Sequence, residues 1–235
     1  MRIIALETSD RAGSIALADC DKLVAEQVLD SRQRSGQSLA PGIRSLLDLA
    51  GWRTQEVELI ALTIGPGSFT GLRVGVVTAK TLAYAIGARC VGLNTLEVIA
   101  AQAPVIWPRL SVAMNAGRGE LFHAHFTSSL ETGSSALARW IVSHDPSILD
   151  RVQWLNSLGP HTAITGPALE DALGVVPQSV PVVDQAQWIP RAATVAALAW
   201  RRHLAGQYDD MLKLAPLYLR KSAAEEKLDE RGPTA

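Results

Sequence analysis

The segment spanning residues 59–86 constrains the fold more than any other part of this chain. Residues 59–64 form an apolar run with Leu59 and Ala61 on one face of a strand and Ile60, Leu62 and Ile64 on the other. Such a strand has to be covered on both sides. Gly65-Pro66-Gly67-Ser68-Phe69-Thr70 then turns the chain, and a helix is expected over about 71–86. That helix is apolar on nearly every side, so it too has to be buried on more than one side.

The flanking sequence builds a sheet around that strand. Residues 3–8, 14–18 and 23–29 read as a three-stranded meander, joined by Asp10-Arg11-Ala12-Gly13 and by residues 19–22. A helix fits 38–50, with Leu39, Ile43, Leu46, Leu47 and Ala50 on one face and Gly51 as its C-terminal cap. Residues 90–93 add a strand, making the order βββαβαβ. Beyond the prolines at 104 and 108 the order recurs less cleanly. Residues 110–114, 120–126 and 139–142 are strand candidates, and Asp145-Pro146 resembles a helix start. A short strand at 162–165 precedes Gly166-Pro167 and a helix; a strand at 180–183 and an alanine-rich helix at 192–205 follow. Gly65-Pro66 and Gly166-Pro167 occupy matching places in the two halves. The expectation is an α/β protein of actin-like (ASKHA, ribonuclease H-like) fold with duplicated βββαβα lobes. One lobe is expected at 1–103 and the other at 104–221, with a mobile tail at 222–235 rich in Glu and Lys.

Composition narrows the function classes. Of the 235 residues, 48% are hydrophobic, enough for a substantial core, and the net charge of -1 supplies no overall positive field for holding nucleic acid alone. Cys20 and Cys90 are too few for a disulfide framework and lack metal-ligand spacing. The opening residues reach Glu7 too soon for a signal peptide, and no apolar run is long enough to span a bilayer. A cytoplasmic protein without a membrane segment is expected.

Several residues could carry chemistry. The glycines of the 65–71 loop would let backbone N–H groups approach a phosphate at a helix N-terminus, with Gly65, Gly67 and Ser68 as its parts. The loop lacks a P-loop lysine, and a tight strand-to-helix turn capped by Ser68 or Thr70 explains the same residues. Glu7-Thr8-Ser9 ends the first strand, where an acid could hold a metal–phosphate group or simply close a turn. His123 and His125 share one face of a strand without a third ligand nearby in sequence. Gly71, Gly75, Ala79 and Ala83 form a ridge of small side chains on the second helix, beside Leu72 and Val76. Either the chain buries that ridge itself or a partner does.

Residues 65–73, GPGSFTGLR, followed by Val74-Gly75 and Ala79-Lys80, resemble the signature of the TsaB (YeaZ) group of the glycoprotease-like (M22) family. Ile4-Ala5-Leu6-Glu7-Thr8-Ser9, Val91-Gly92-Leu93-Asn94-Thr95-Leu96-Glu97, NAGRGEL at 115–121 and Pro216-Leu217-Tyr218-Leu219-Arg220 resemble further motifs of that group. Glu7 and Asn115 each stand where the group has Asp, and residues 34–38 lack the histidine often found before the first helix. The resemblance implies a subunit with no catalytic site and no cofactor of its own. It would pair as a heterodimer with a TsaD-type catalytic subunit and act with a TsaE-type ATPase, ATP being used by the wider complex. Together they install threonylcarbamoyl on the adenosine beside the anticodon of tRNA, and this chain reaches tRNA through the complex. The family pairs through the two helices of its first lobe, which points to Leu39, Ile43, Leu46, Leu47, Gly71, Leu72, Gly75, Val76, Ala79 and Ala83 as interface residues and to a homodimer when the chain is alone. The alternatives are a small-molecule kinase or ATPase of actin-like fold and a metallopeptidase.

Overall fold

The computed structural model describes residues 1–30, 35–129 and 139–220. The tail expected to be mobile falls outside the described residues. The first sheet has the order β3-β2-β1-β4-β5, from β1 (Arg2–Glu7), β2 (Ser14–Asp19), β3 (Lys22–Val28), β4 (Val57–Gly65) and β5 (Arg89–Asn94). The meander is antiparallel, whereas β4 lies parallel to both β1 and β5. Parallel neighbours need a crossover, supplied by α1 (Ser35–Ala50) and α2 (Phe69–Ile86). Ser68 caps α2 by accepting from the Gly71 N–H at 3.3 Å, and Gly87 ends it in the left-handed conformation.

Alternation divides the sheet into unlike faces. Ile4, Leu6, Ile15, Leu17, Ile60 and Leu62 face α1 and α2. The opposite face carries the small residues Ala5, Ala16, Ala18 and Ala61 beside Ile3, Leu59, Val91 and Leu93. It receives Ala192, Val195, Ala196 and Ala199 of α6 (Ala192–Leu204). Small residues on both surfaces let the helix lie close to the strands.

The second sheet repeats the first four positions as β8-β7-β6-β9, from β6 (Arg109–Gly117), β7 (Glu120–Ser128), β8 (Trp140–Asp150) and β9 (Thr162–Thr165). Its pairings repeat as well: antiparallel, antiparallel, parallel. The chain is therefore an α/β protein with duplicated actin-like lobes. Helix α3 (Thr95–Gln102), absent from the expected order, covers this sheet with Leu96, Ile99 and Ala100. It touches α6 through Thr194, which donates to Gln102 Oε1 at 3.1 Å, and through Arg202, 3.6 Å from Glu97. The other face packs on Trp154 of α4 (Arg151–Asn156) and Leu169 of the one-turn α5 (Leu169–Ala172).

Two expected elements differ. Asp145-Pro146 starts no helix; it lies inside β8, and α4 begins five residues later with Asp150 as its cap. His123 pairs with Ser147 and His125 with His144, so the ladder slips where Pro146 stands. An edge strand at a bulge tolerates a residue with no N–H to donate. Residues 180–183 form only a single bridge, between Val182 and Ile164, where a fifth strand would stand.

Candidate functional site

A cleft of about 670 Å³ opens between the lobes at the ends of β1 and β6. Ser9, Asp10, Arg11, Gly67 and Ser68 line it from the first lobe, and Asn115, Pro167, Glu170 and Asp171 from the second. Glu7, Thr8, Ser9, Gly65, Gly67 and Ser68 thus gather around one end of the first sheet, but not all of them face the opening.

Glu7 is fully buried. Its Oε1 accepts from the Ser9 N–H at 2.7 Å, from the Ser9 hydroxyl, and from the Thr63 hydroxyl at 3.2 Å, while Oε2 has no partner among the described residues. Burial pushes this carboxyl up to about 7, against the opposing pull of the Ser9 hydrogen bonds. A side chain so enclosed holds the turn and does not reach a cation in the cleft. Asn115 Oδ1 accepts from the Gly117 N–H at 2.7 Å and is committed to the β6–β7 turn. The residues in the two expected acidic positions therefore do not fit a metal–nucleotide group. Among the described residues, no group of three or more His, Cys, Asp or Glu side chains is arranged to hold a metal ion.

The glycines serve close packing. A Cβ on Gly67 would lie 2.3 Å from the Ser9 carbonyl oxygen, and one on Gly71 would lie 2.0 Å from the Thr8 carbonyl oxygen. The Ser68 N–H donates to the Ser9 carbonyl at 2.7 Å, pinning the loop to the β1–β2 turn. Alanine normally improves a helical position held by glycine. Here Gly71→Ala should instead destabilise by about 1–3 kcal/mol, because backbone has to move. A urea melt in which Gly71→Ala matches the wild type would show that the glycine is not required for packing.

The ridge on α2 points inward for the same reason. A Cβ on Gly75 would meet the Thr8 hydroxyl at 2.3 Å. Leu39, Ile43, Leu46, Leu47, Gly71, Leu72, Gly75, Val76, Ala79 and Ala83 are all buried by the chain's own atoms. That placement corrects the expectation for these side chains, which pack the two helices on the sheet and are not open to a partner. The outward surface of α1 and α2 is carried by Leu49, 77% exposed, Val77, 62% exposed, and Tyr84, 79% exposed.

Residues 212–220 strap the lobes together. Lys80 Nζ donates to the Leu212 and Leu214 carbonyls at 3.0 and 3.2 Å. The Leu217 N–H donates to the Ile64 carbonyl at 2.7 Å, and Gly65 leaves room for the Leu217 carbonyl. Tyr218 packs against Phe69 in a tilted ring contact, and Arg220 binds the Ala116 carbonyl and Glu120 in the second lobe. Sequence reading saw the motif at 216–220 but not this bridging role, since nothing local to it names the distant elements.

Sequence spacing also missed His144. It sits across the ladder from His125, so His123, His125 and His144 form a row with ring centres 5.3 and 5.6 Å apart. His123 Nε2 meets the Ser147 hydroxyl at 2.9 Å, and its buried Nδ1 has no partner among the described residues. Burial, then the neighbouring His125 and His144, lower His123 to about 4.

A family model for TsaD, tRNA N6-adenosine threonylcarbamoyltransferase, matches residues 25–145. The tRNA threonylcarbamoyladenosine biosynthesis protein TsaB of Bacillus subtilis is 28% identical, over 97% of this chain and 97% of its own length. The Escherichia coli TsaB is 27% identical, over 97% and 98%. The tRNA N6-adenosine threonylcarbamoyltransferase of Trichlorobacter lovleyi is 30% identical, but over 52% of this chain and 42% of its own length. YeaZ from Pseudomonas aeruginosa, a solved structure 24% identical, superposes with a TM-score of 0.76 over 93% of this chain and 99% of that one, which shows a shared fold.

Proposed function

The chain belongs to the tRNA N6-adenosine threonylcarbamoyltransferase (TsaD) family, and from that membership we propose that it acts in tRNA threonylcarbamoyladenosine biosynthesis as a partner-binding subunit without a catalytic site. Its end-to-end likeness is to TsaB proteins, while it spans under half of a transferase of the family. A TsaD-type subunit carries the transfer chemistry, a TsaE-type ATPase handles ATP, and tRNA meets this chain through the assembly. Alone, the chain pairs with a second copy through the same surface.

The observation that supports a docking role is the outward face of α1 and α2. Leu49, Val77 and Tyr84 leave large apolar groups in water on helices whose inner faces are already filled. Such side chains contribute to association when a partner covers them, at about 25 cal/mol per Å² before the entropy of association is subtracted. Val77→Asp and Tyr84→Ala should keep the circular dichroism spectrum and weaken binding to the TsaD-type subunit at least tenfold by calorimetry. Wild-type affinity in both variants would place the interface elsewhere.

The cleft between the lobes motivates a second reading, a small-molecule kinase or ATPase. Magnesium-dependent ATP turnover by the isolated chain that disappears in Glu7→Ala would favour it. No turnover is expected, because Glu7 is enclosed and Asn115 carries no charge.

A further inference from the structure

Arg73 on α2 is held in place by aromatic rings yet keeps donors to spare. Its guanidinium carbon lies 3.9 Å from the centre of the Phe69 ring and 6.0 Å from that of Tyr218. The two rings lie 4.7 Å apart, tilted by 30°, and Arg73 Nε donates to the Tyr218 hydroxyl at 3.0 Å. The residue is exposed, and among the described residues Nη1 and Nη2 have no acceptor. Val77 and Tyr84 continue the same stripe of the helix, and the strap adds Leu212, 76% exposed, beside Lys80.

We infer that Arg73 is a preformed receptor for a carboxylate on the protein that covers α2, with Phe69 and Tyr218 as its positioning residues. The inference rests on the docking role proposed above and names the chemistry of the partner. Packing on the Phe69 ring and the Nε hydrogen bond to Tyr218 restrict the freedom that an arginine otherwise loses on binding, and the planar fork left open matches the two oxygens of a carboxylate. Apolar neighbours shed water from the pair once a partner closes over them, the setting in which arginine and tyrosine dominate interfaces. A phosphate backbone is a poorer fit. Nucleic acid is held by several cations together, and Lys80, the next cation along the helix, already donates to two carbonyls.

The test is calorimetry of the full chain with the TsaD-type subunit at low and moderate salt. Arg73→Lys keeps the charge but loses the fork; it should weaken binding about tenfold, and Tyr218→Phe, which removes only the hydroxyl, about threefold. Arg73→Gln should weaken binding further and flatten its salt dependence, with circular dichroism unchanged. If the Arg73 variants bind like wild type while Val77→Asp does not, the docking face stands and the carboxylate receptor falls. If Val77→Asp also binds like wild type, the docking role itself falls. If Arg73→Gln releases tRNA from the assembled complex and leaves the protein affinity unchanged, the occupant is a phosphate and the inference is overturned.

Discussion

Glu7→Gln should make the protein more stable at pH 8 by roughly 2–3 kcal/mol, with the gain fading toward pH 5. The unfolded chain releases this proton near 4.5, whereas the folded chain keeps it until about 7. Between those values folding takes up a proton. The stability Glu7 contributes is complete below 4.5 and is lost as pH rises through 7, at about 1.4 kcal/mol per unit. Glutamine copies the neutral acid. Its oxygen can accept from Ser9 and Thr63 as Oε1 does, and it never ionises. For a chain of this size the gain corresponds to about 5–10 °C in Tm. His123 works in the opposite direction. Its lowered pKa makes stability present above 6.5 and lost as pH falls toward 4. Over the range where both titrate, the wild type should therefore change little, while Glu7→Gln should show a curve that rises with pH. Melting curves from pH 5 to 8 check this; parallel curves for the two proteins would mean that Glu7 does not titrate in that range.

Val76→Glu should lose the fold rather than a partner. Val76 is 4% exposed and belongs to the cluster in which α1 and α2 meet Ile60 and Leu62. A carboxylate there has no partner, at a cost on the order of 3–5 kcal/mol, a large fraction of the stability of an ordinary domain. Val77→Asp, one position on and in water, should change stability by no more than about 0.5 kcal/mol. Urea melts of the two variants give the comparison. A Val76→Glu protein that melts like wild type would mean that this side of α2 is open.

The difference between adjacent residues 76 and 77 shows what was legible in the chain and what was not. Strand and helix order in the first lobe as far as β5 follows from local patterns: apolar runs, the turn at 10–13, the cap at Gly51, the loop at 65–70. The same patterns expose the ridge from Gly71 to Ala83, because its period belongs to one helix. They do not say what the ridge meets. A helix apolar all round is equally compatible with its own sheet and with another chain. What decides for the sheet is the Thr8 carbonyl oxygen, only 2.0 Å from where a Cβ on Gly71 would stand.

Apart from α3 and the strand that runs through Pro146, the amino-acid sequence by itself determined the elements, the duplication of their order, and the family resemblance carried by residues 65–73. Each depends on residues close together in the chain. The tertiary structure alone decided that Glu7 is enclosed and its pKa raised, that α6 closes the first sheet, that His144 joins His123 and His125, and that Tyr218 braces Arg73. Burial, proton affinity and ring contacts arise from groups brought together from distant segments: Thr63 against Glu7, Ala192 against Ser14, Tyr218 against Phe69. No window of sequence contains both members of such a pair, so the chemistry of the site appears only when the chain has closed on itself.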